Sequence, residues 1–415
     1  MAITPGTEYF KKLYEKYQDP KLIYEADGED LSSIIGKRAT DMTALCDKSL
    51  DEAERVLRFC ESKNVGILTY SDENFPNSLR EISTPPVLLY YRGTLPNFNN
   101  ECIISVVGTR RLTEYGRKNA FAIGYDLARA GAIIASGMAI GIDGVAHAGS
   151  LAAGGVNVAF LGSGIDVCYP EIHRTLAQNI VKSGCVLTEY APGTKPHGYN
   201  FPIRNRLIAG ISYAAVVIEG KIRSGSLITA RYAREQNKTL YALPGNVDNK
   251  TSEATNLLIK NGAKLITSAV DIIEDVEFVF TGKINPFNIT ERLDVSYEEA
   301  LTEYKVSAVT PNDSLFSRIL PKKKKQDGEK KKSKVAEKSE ITEIFELKAP
   351  REPTEFDIDK DTLAIYRLIP TEGEILIEDL ANGEYGMQSI MKALLKLEMG
   401  RFVTLIPGEK VKRNL

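Results

Sequence analysis

Six times between Cys102 and Asp275, an apolar run ends in a turn of small residues: VVGTRR (106–111), IASGMAIGID (134–143), FLGSGID (160–166), LTEYAPG (187–193), VIEGKIRSGSLITA (217–230) and ALPGN (242–246). Segments with apolar residues at helical spacing, such as Glu114–Ala130, separate these runs. Alternating strands and helices over this length predict an α/β fold, an extended Rossmann-like parallel sheet with helices on both faces. Ligands of such sheets bind outside the carboxyl ends of the strands, where these turns lie.

Outside this region the chain changes character, and we expect four parts. Residues 1–80 form a helical N-terminal domain, 81–280 the Rossmann-like domain, 281–354 a lysine-rich linker and 355–415 a winged-helix-like domain of three helices and a hairpin. The helical part could serve packing or nucleic-acid binding, and the last part could contact protein as well as DNA. The linker holds eight lysines within Lys322–Lys334, a run that is more often a solvated tether than a binding segment.

Composition limits the possible functions. A net charge of −2 on 415 residues gives no global sign of nucleic-acid binding, so any basic surface must be local. We find neither a signal peptide nor an apolar run that could span a bilayer, and we expect a cytoplasmic protein. The five cysteines show no CxxC spacing, and the three histidines form no cluster with them. We therefore expect no metal site and no cofactor.

Three of the turns have the chemistry of phosphate sites. Gly108, Thr109 and Arg110 follow the first strand of the domain, Ser163 and Gly164 follow the third, and Ser224, Gly225 and Ser226 precede a helix. Glycine permits close backbone approach, a helix N-terminus has free N–H groups, and arginine adds a forked donor. One such turn could be a plain strand–helix connection, whereas three at one edge suggest successive phosphates of a nucleic acid. The chain lacks G-x-G-x-x-G and a Walker lysine, which disfavours dinucleotide and P-loop enzymes.

The most distinctive motif is FPIRNR (201–206), which places an aromatic ring, two arginines and an amide at a loop-to-helix junction. Phe201 could stack on a base, and Arg204, Asn205 and Arg206 could bind phosphate. Lys195 lies in a neighbouring loop, as do Lys221 and Arg223. The alternative is that Phe201 covers a core and that the arginines pair with acids.

Four acidic or basic side chains could carry other chemistry. Glu189 and Glu219 follow strands and could act as general acid and base, although accepting hydrogen bonds from loops is the commoner role. Asp143 and His147 share a helix face, but without a third metal ligand we expect an N-cap and a packed histidine. We find no nucleophile–base–acid set, and we assign no catalytic residue.

Four motifs together closely resemble the DNA-processing protein A family (DprA, also called Smf): SGMAIGIDGVAHA (136–148), FPIRNRLIAGIS (201–212), SGSLITA (224–230) and LPGN (243–246). The resemblance covers most of residues 64–275. It implies a non-enzymatic protein that binds single-stranded DNA, forms a homodimer and delivers the recombinase RecA onto that DNA during natural transformation. It also implies that Arg110, Arg204 and Arg206 hold phosphates and that Phe201 stacks on a base.

The rival hypothesis is a nucleotide-phosphate-binding enzyme of the phosphoribohydrolase type, which resembles this domain in architecture. Those enzymes carry a PGGxGTxxE motif. This chain has SGSLIT (224–229) at the comparable place. We therefore favour a recombination mediator over an enzyme.

Overall fold

The computed structural model describes residues 3–36, 41–222, 224–289, 296–306, 360–371, 373, 375–380, 385–399, 403–406 and 410–413. Two compact units, Met1–Lys325 and Gln326–Leu415, divide the chain. The lysine run and Arg223 lie outside the described residues. No helix in the described ranges is both long and apolar enough to cross a bilayer. The division into four domains stays a prediction.

The first unit begins with a helical bundle, as the sequence predicts. Its helices are α1 (Tyr9–Tyr17), α2 (Pro20–Glu25), α3 (Gly28–Ile35), α4 (Met42–Cys46) and α5 (Asp51–Ser62). Asp19 and Asp27 accept backbone N–H bonds at the starts of α2 and α3, which satisfies donors that a helix leaves unpaired. The apolar sides of the helices meet in a small core that includes Phe10, Leu13 and Leu31.

A nine-stranded sheet follows. Its strands are β1 (Gly66–Thr69), β2 (Leu88–Gly93), β3 (Ile103–Val107), β4 (Ile133–Ser136), β5 (Asn157–Phe160), β6 (Cys185–Thr188), β7 (Ala214–Val217), β8 (Thr239–Ala242) and β9 (Lys264–Leu265). Their order is β1-β2-β6-β5-β4-β3-β7-β8-β9. All neighbours from β6 to β9 are parallel, and β2 and β1 extend the sheet antiparallel at its β6 edge. Strands β3 to β7 are buried along their whole length, which explains their mainly apolar sequences.

Helices cover the sheet, in agreement with the predicted α/β fold. They are α6 (Asn77–Arg80), α7 (Glu114–Arg129), α8 (Ile142–Ala152), α9 (Arg174–Ser183), α10 (Asn200–Ile211), α11 (Gly225–Glu235), α12 (Glu253–Lys260), α13 (Val270–Val276) and α14 (Tyr297–Glu303). The last of these falls in the segment predicted to be a linker. It is tied to α7 by a 2.7 Å hydrogen bond from the Tyr297 hydroxyl to Glu114.

The strand order places a topological switch at β3. The chain passes from β3 to β4, β5 and β6 on one side, and α10 then carries it back to β7 on the other side of β3. The loops after β3, β4 and β5 and the start of α10 therefore gather above the carboxyl ends of the strands. This is the edge at which the sequence predicts the site.

The second unit has the predicted winged-helix layout. Its elements are α15 (Lys360–Leu368), β10 (Ile375–Leu376), α16 (Ile377–Leu380), α17 (Met387–Met399), β11 (Val403–Ile406) and β12 (Lys410–Arg413). β11 and β12 form an antiparallel hairpin, and β10 pairs with β12. Ile365, Ile390, Leu394 and Val411 are buried in its core.

Candidate nucleic-acid interface

The turn after β3 presents two arginine side chains, Arg110 and Arg111, to solvent. A Cβ atom on Gly108 would lie 2.5 Å from the Ile142 side chain, so only glycine fits there. The N–H of Thr109 donates to the Glu219 backbone carbonyl at 2.8 Å, and its hydroxyl accepts from the Arg111 N–H at 3.1 Å. Gly108 and Thr109 thus hold the turn in place, while the Arg110 guanidinium is exposed.

Two arginines lie beside the ring of Phe201. The guanidinium carbon of Arg110 is 5.5 Å from the ring centroid, and that of Arg204 is 5.8 Å away. Both distances permit cation–π attraction. The ring packs against Gly162, where a Cβ atom would come within 2.8 Å of it, and its centroid lies 5.3 Å from that of Tyr169. Phe201 is half-buried and is therefore only partly covered by the core.

This cluster forms part of the wall of a cavity of about 360 Å³. The cavity lies between the loops after β3, β4 and β5 and the first turn of α10. Its lining comprises Arg110, Gly137, Ala139, Ile140, Cys168, Tyr169, Pro170, Glu171, Ile172, Phe201 and Arg204. Apolar and aromatic walls with two guanidinium groups suit a flat ring that carries an anionic group.

Arg204 is a buried member of the cluster, with an exposed fraction of 4%. Its Nη1 donates to the carbonyl of Gly137 at 2.9 Å and also to that of Phe160, which ties α10 to the ends of β4 and β5. Burial lowers the pKa of Arg204 to about 10, against the attraction of Asp143 and with the added repulsion of Arg110. The side chain still carries its charge at neutral pH.

Asp143 supports the same loops from below. Its carboxylate accepts the N–H of Gly137 at 3.2 Å. Burial raises the pKa of Asp143, whereas Arg204, Arg110 and the backbone donors oppose that shift. The predicted N-cap role is wrong, because Gly141 caps α8 and Asp143 lies in its first turn. The predicted packed histidine is confirmed, since His147 is buried and its Nδ1 lies 2.8 Å from the Asn157 side-chain oxygen.

Arg206 points away from the cavity into the core. Its Nη2 donates to both carboxylate oxygens of Glu189 at 2.7 Å, and the two side chains are 2% and 3% exposed. Glu219 is equally enclosed. It accepts bonds from the Thr113 N–H and hydroxyl at 2.9 and 2.6 Å and from the Thr251 hydroxyl at 3.0 Å. Glu219 thus has the structural role that the sequence made the commoner one, whereas Glu189 pairs with an arginine of the FPIRNR motif.

The remaining predicted residues separate into buried and accessible groups. Ser163 and Gly164 are buried. The Ser163 hydroxyl donates to the carbonyl of Val167, and the Gly164 N–H donates to the carbonyl of Thr194. Gly225 and Lys195 are exposed, and Asn205 and Ser224 are partly so. Asn205 donates to the Gly225 carbonyl at 3.2 Å and joins α10 to the start of α11. The hydroxyls of Ser224 and Ser226 lie 2.6 Å apart.

Sequence reasoning missed the wall that lies between β5 and α9. Cys168, Tyr169 and Ile172 line the cavity from that connection. The only local signal is an aromatic residue before proline, Tyr169-Pro170, in a loop that follows a strand. That signal marks a turn but gives no indication of what the ring faces.

Comparison with known proteins identifies the relatives of this site. The family model for DNA recombination-mediator protein A matches residues 66–277, which is about half of the chain. The DNA processing protein DprA of Streptococcus pneumoniae (strain ATCC BAA-255 / R6) is 38% identical over 249 residues, or 60% of this chain and 86% of that protein. The chain belongs to the DNA recombination-mediator protein A family. Members of this family are DNA-binding recombination mediators and not enzymes, which removes the phosphoribohydrolase-type alternative.

Other members of the DNA recombination-mediator protein A family match over different lengths. Protein Smf of Synechocystis sp. is 41% identical over 211 residues, which are 50% of this chain but only 53% of that protein. The X-ray structure of DprA from Streptococcus pneumoniae superposes with a TM-score of 0.58 at 33% sequence identity. It covers 65% of this chain and 93% of the solved one.

Proposed function

We propose that this protein binds single-stranded DNA at the cavity edge and acts there as a recombination mediator. The observation that carries the proposal is the exposed Arg110 beside the half-buried ring of Phe201 at a cavity of about 360 Å³. A guanidinium neutralises a backbone phosphate, and an aromatic ring stacks on a base of any sequence. Membership of a family of DNA recombination mediators supports this assignment.

The geometry favours a single strand over a duplex. In duplex DNA both faces of each base are stacked on neighbours, and the ring of Phe201 would have no base face to contact. A base of a single strand turns outward at a small cost in free energy. Because the contacts go to phosphate and to ring faces, we expect weak sequence preference and a steep loss of affinity with salt.

The other predicted residues have two kinds of role in this proposal. Lys195, Asn205, Ser224 and Gly225 extend a track for phosphates along the same edge, and the buried Ser226 supports that turn from inside. Gly108, Thr109 and Arg204 hold the turn and the ring in position. Ser163, Gly164 and Arg206 stabilise the loops from inside.

A salt series of fluorescence anisotropy with labelled oligo-dT tests the proposal. The wild-type protein should bind tightly at low salt and lose affinity steeply as salt rises. Arg110→Ala should weaken binding about tenfold and reduce the salt slope by about one, since one phosphate contact is lost. The control is Arg58→Ala, which removes an exposed arginine of α5 that pairs with Glu54. Equal affinity of Arg110→Ala and the wild type would reject this site.

We further propose that the protein acts in the cytoplasm as a homodimer and loads RecA onto single-stranded DNA during DNA uptake. The support is the family to which the chain belongs. RecA ATPase activity on DNA coated with single-strand-binding protein should rise when the protein is added. Light scattering should give twice the mass of one chain. A monomeric mass would contradict the proposed homodimer, and unchanged RecA activity would contradict the proposed loading of RecA.

A further inference from the structure

The loop between β6 and α10 carries a stacked pair of exposed aromatic side chains. The rings of His197 and Tyr199 have centroids 5.3 Å apart and planes that differ by 2°. Tyr199 is 67% exposed, and Lys195 and His197 are exposed as well. Lys195, His197 and Tyr199 thus place a cation and two parallel rings at alternate positions of one loop.

The backbone holds this loop in a defined shape. The N–H of His197 donates to the Lys195 carbonyl at 2.9 Å, and the N–H of Asn200 donates to the His197 carbonyl at 3.0 Å. Asn200 is buried, and its amide donates to the carbonyl of Gly162 at 2.9 Å. The residue that follows Tyr199 is therefore fixed to the end of β5, and Phe201 comes next in the chain.

We propose that His197 and Tyr199 form a second stacking platform for bases of single-stranded DNA, next to Phe201 and Arg110. The proposal rests on the function proposed above and adds a subsite to it. One face of each ring is covered by the other ring, and an outer face stays open to a base. Lys195 supplies the positive charge for the phosphate of that nucleotide.

A rigid exposed ring pair fits a nucleic acid for a physical reason. Exposed aromatic side chains bind bases without a sequence requirement, because every base has a π-face. The anchored backbone means that little conformational freedom is lost when a base stacks. The position two residues before Phe201 lets one strand reach both rings in succession.

Substitution and oligonucleotide length together test the platform. Tyr199→Ala should weaken binding of oligo-dT of about 20 nucleotides about fivefold, the lower end of what one stacked base contributes. A mononucleotide, which can occupy only one subsite at a time, should be less affected. Tyr199→Phe keeps the ring and should bind like the wild type, which separates stacking from loop stability.

Fluorescence gives an independent readout, because the chain contains no tryptophan. Tyr199→Trp creates a single reporter, and a base stacked on it should quench its emission as oligo-dT is added. Phe278→Trp, two residues beyond the end of α13, is the control and should keep its emission; the native Phe278 is 83% exposed. Absence of quenching at Tyr199→Trp in a variant that still binds DNA would overturn the platform. Failure of the wild-type protein to bind oligo-dT would instead overturn the proposed function.

Discussion

Arg110 and Arg204 flank the same ring, yet their substitutions should separate binding from stability. Removing the Arg204 side chain leaves the carbonyls of Gly137 and Phe160 without this donor and Asp143 without its nearby charge. Arg204→Ala should therefore lower the free energy of unfolding by about 3 kcal/mol, whereas the exposed Arg110 contributes little to folding. Urea denaturation of both variants checks this. If Arg204→Ala is as stable as the wild type, the structural role of Arg204 is contradicted. If Arg110→Ala loses much of its free energy of unfolding, this variant cannot be used to test DNA binding alone.

For single residues, the sequence predicts which residues belong to the site better than it predicts where their side chains point. The motif FPIRNR places three consecutive polar side chains within one helical turn, but helical geometry sends Arg206 to the core and Arg204 to the cavity wall. Which arginine points into the core depends on Glu189, a partner 17 residues away on the end of another strand. A partner of this kind cannot be identified from the spacing within a motif.

Among the elements, the close packing of α7 on α8 allows a second prediction. A Cβ atom on Gly124 would lie 2.3 Å from the backbone oxygen of Ala146, and a backbone atom cannot move aside as a side chain can. Alanine gains about 1 kcal/mol of helix propensity over glycine, but overpacking costs about 1–3 kcal/mol. Gly124→Ala should therefore lower the melting temperature. Gly198→Ala, where a Cβ atom meets nothing within 4 Å, is the control. A raised melting temperature for Gly124→Ala would show that the helices can separate.

Element order was predictable because buried parallel strands appear as short apolar runs, whereas amphipathic helices repeat their apolar residues at helical spacing. The strands from β3 to β8 and the helices between them agree with that expectation to within a few residues. The cavity was not predictable, since its walls come from loops after three strands, and loop conformation follows from tertiary contacts. The hydrogen bonds from Arg204 to the carbonyls of Gly137 and Phe160 are an example, because they link α10 to the ends of β4 and β5.

For the whole molecule, two buried histidines predict a dependence of stability on pH. His147 is enclosed beside Asn157, and the Nδ1 of His173 lies 3.0 Å from the carbonyl of Met138. Burial lowers the pKa of each to about 4, whereas an imidazole in the unfolded chain titrates near 6.5. The folded state therefore favours the neutral rings, and the unfolded chain binds protons first as the pH falls. Stability should be complete above pH 6.5 and decrease between pH 6.5 and pH 4.

The size of this effect follows from linkage. At pH 5 each histidine should have lowered the free energy of unfolding by about 2 kcal/mol, because one pKa unit corresponds to about 1.4 kcal/mol. Urea denaturation at intervals from pH 5 to pH 8 measures this loss as a change in the free energy of unfolding of the first unit. His147→Gln should be less stable at pH 7 but should show a shallower slope below pH 6.5, since one of the two proton acceptors is gone. His197→Gln, which removes the exposed imidazole, should leave the slope in place. A wild-type curve that is flat from pH 8 to pH 5 would mean that the buried rings bind protons as readily in the folded protein as in the unfolded chain.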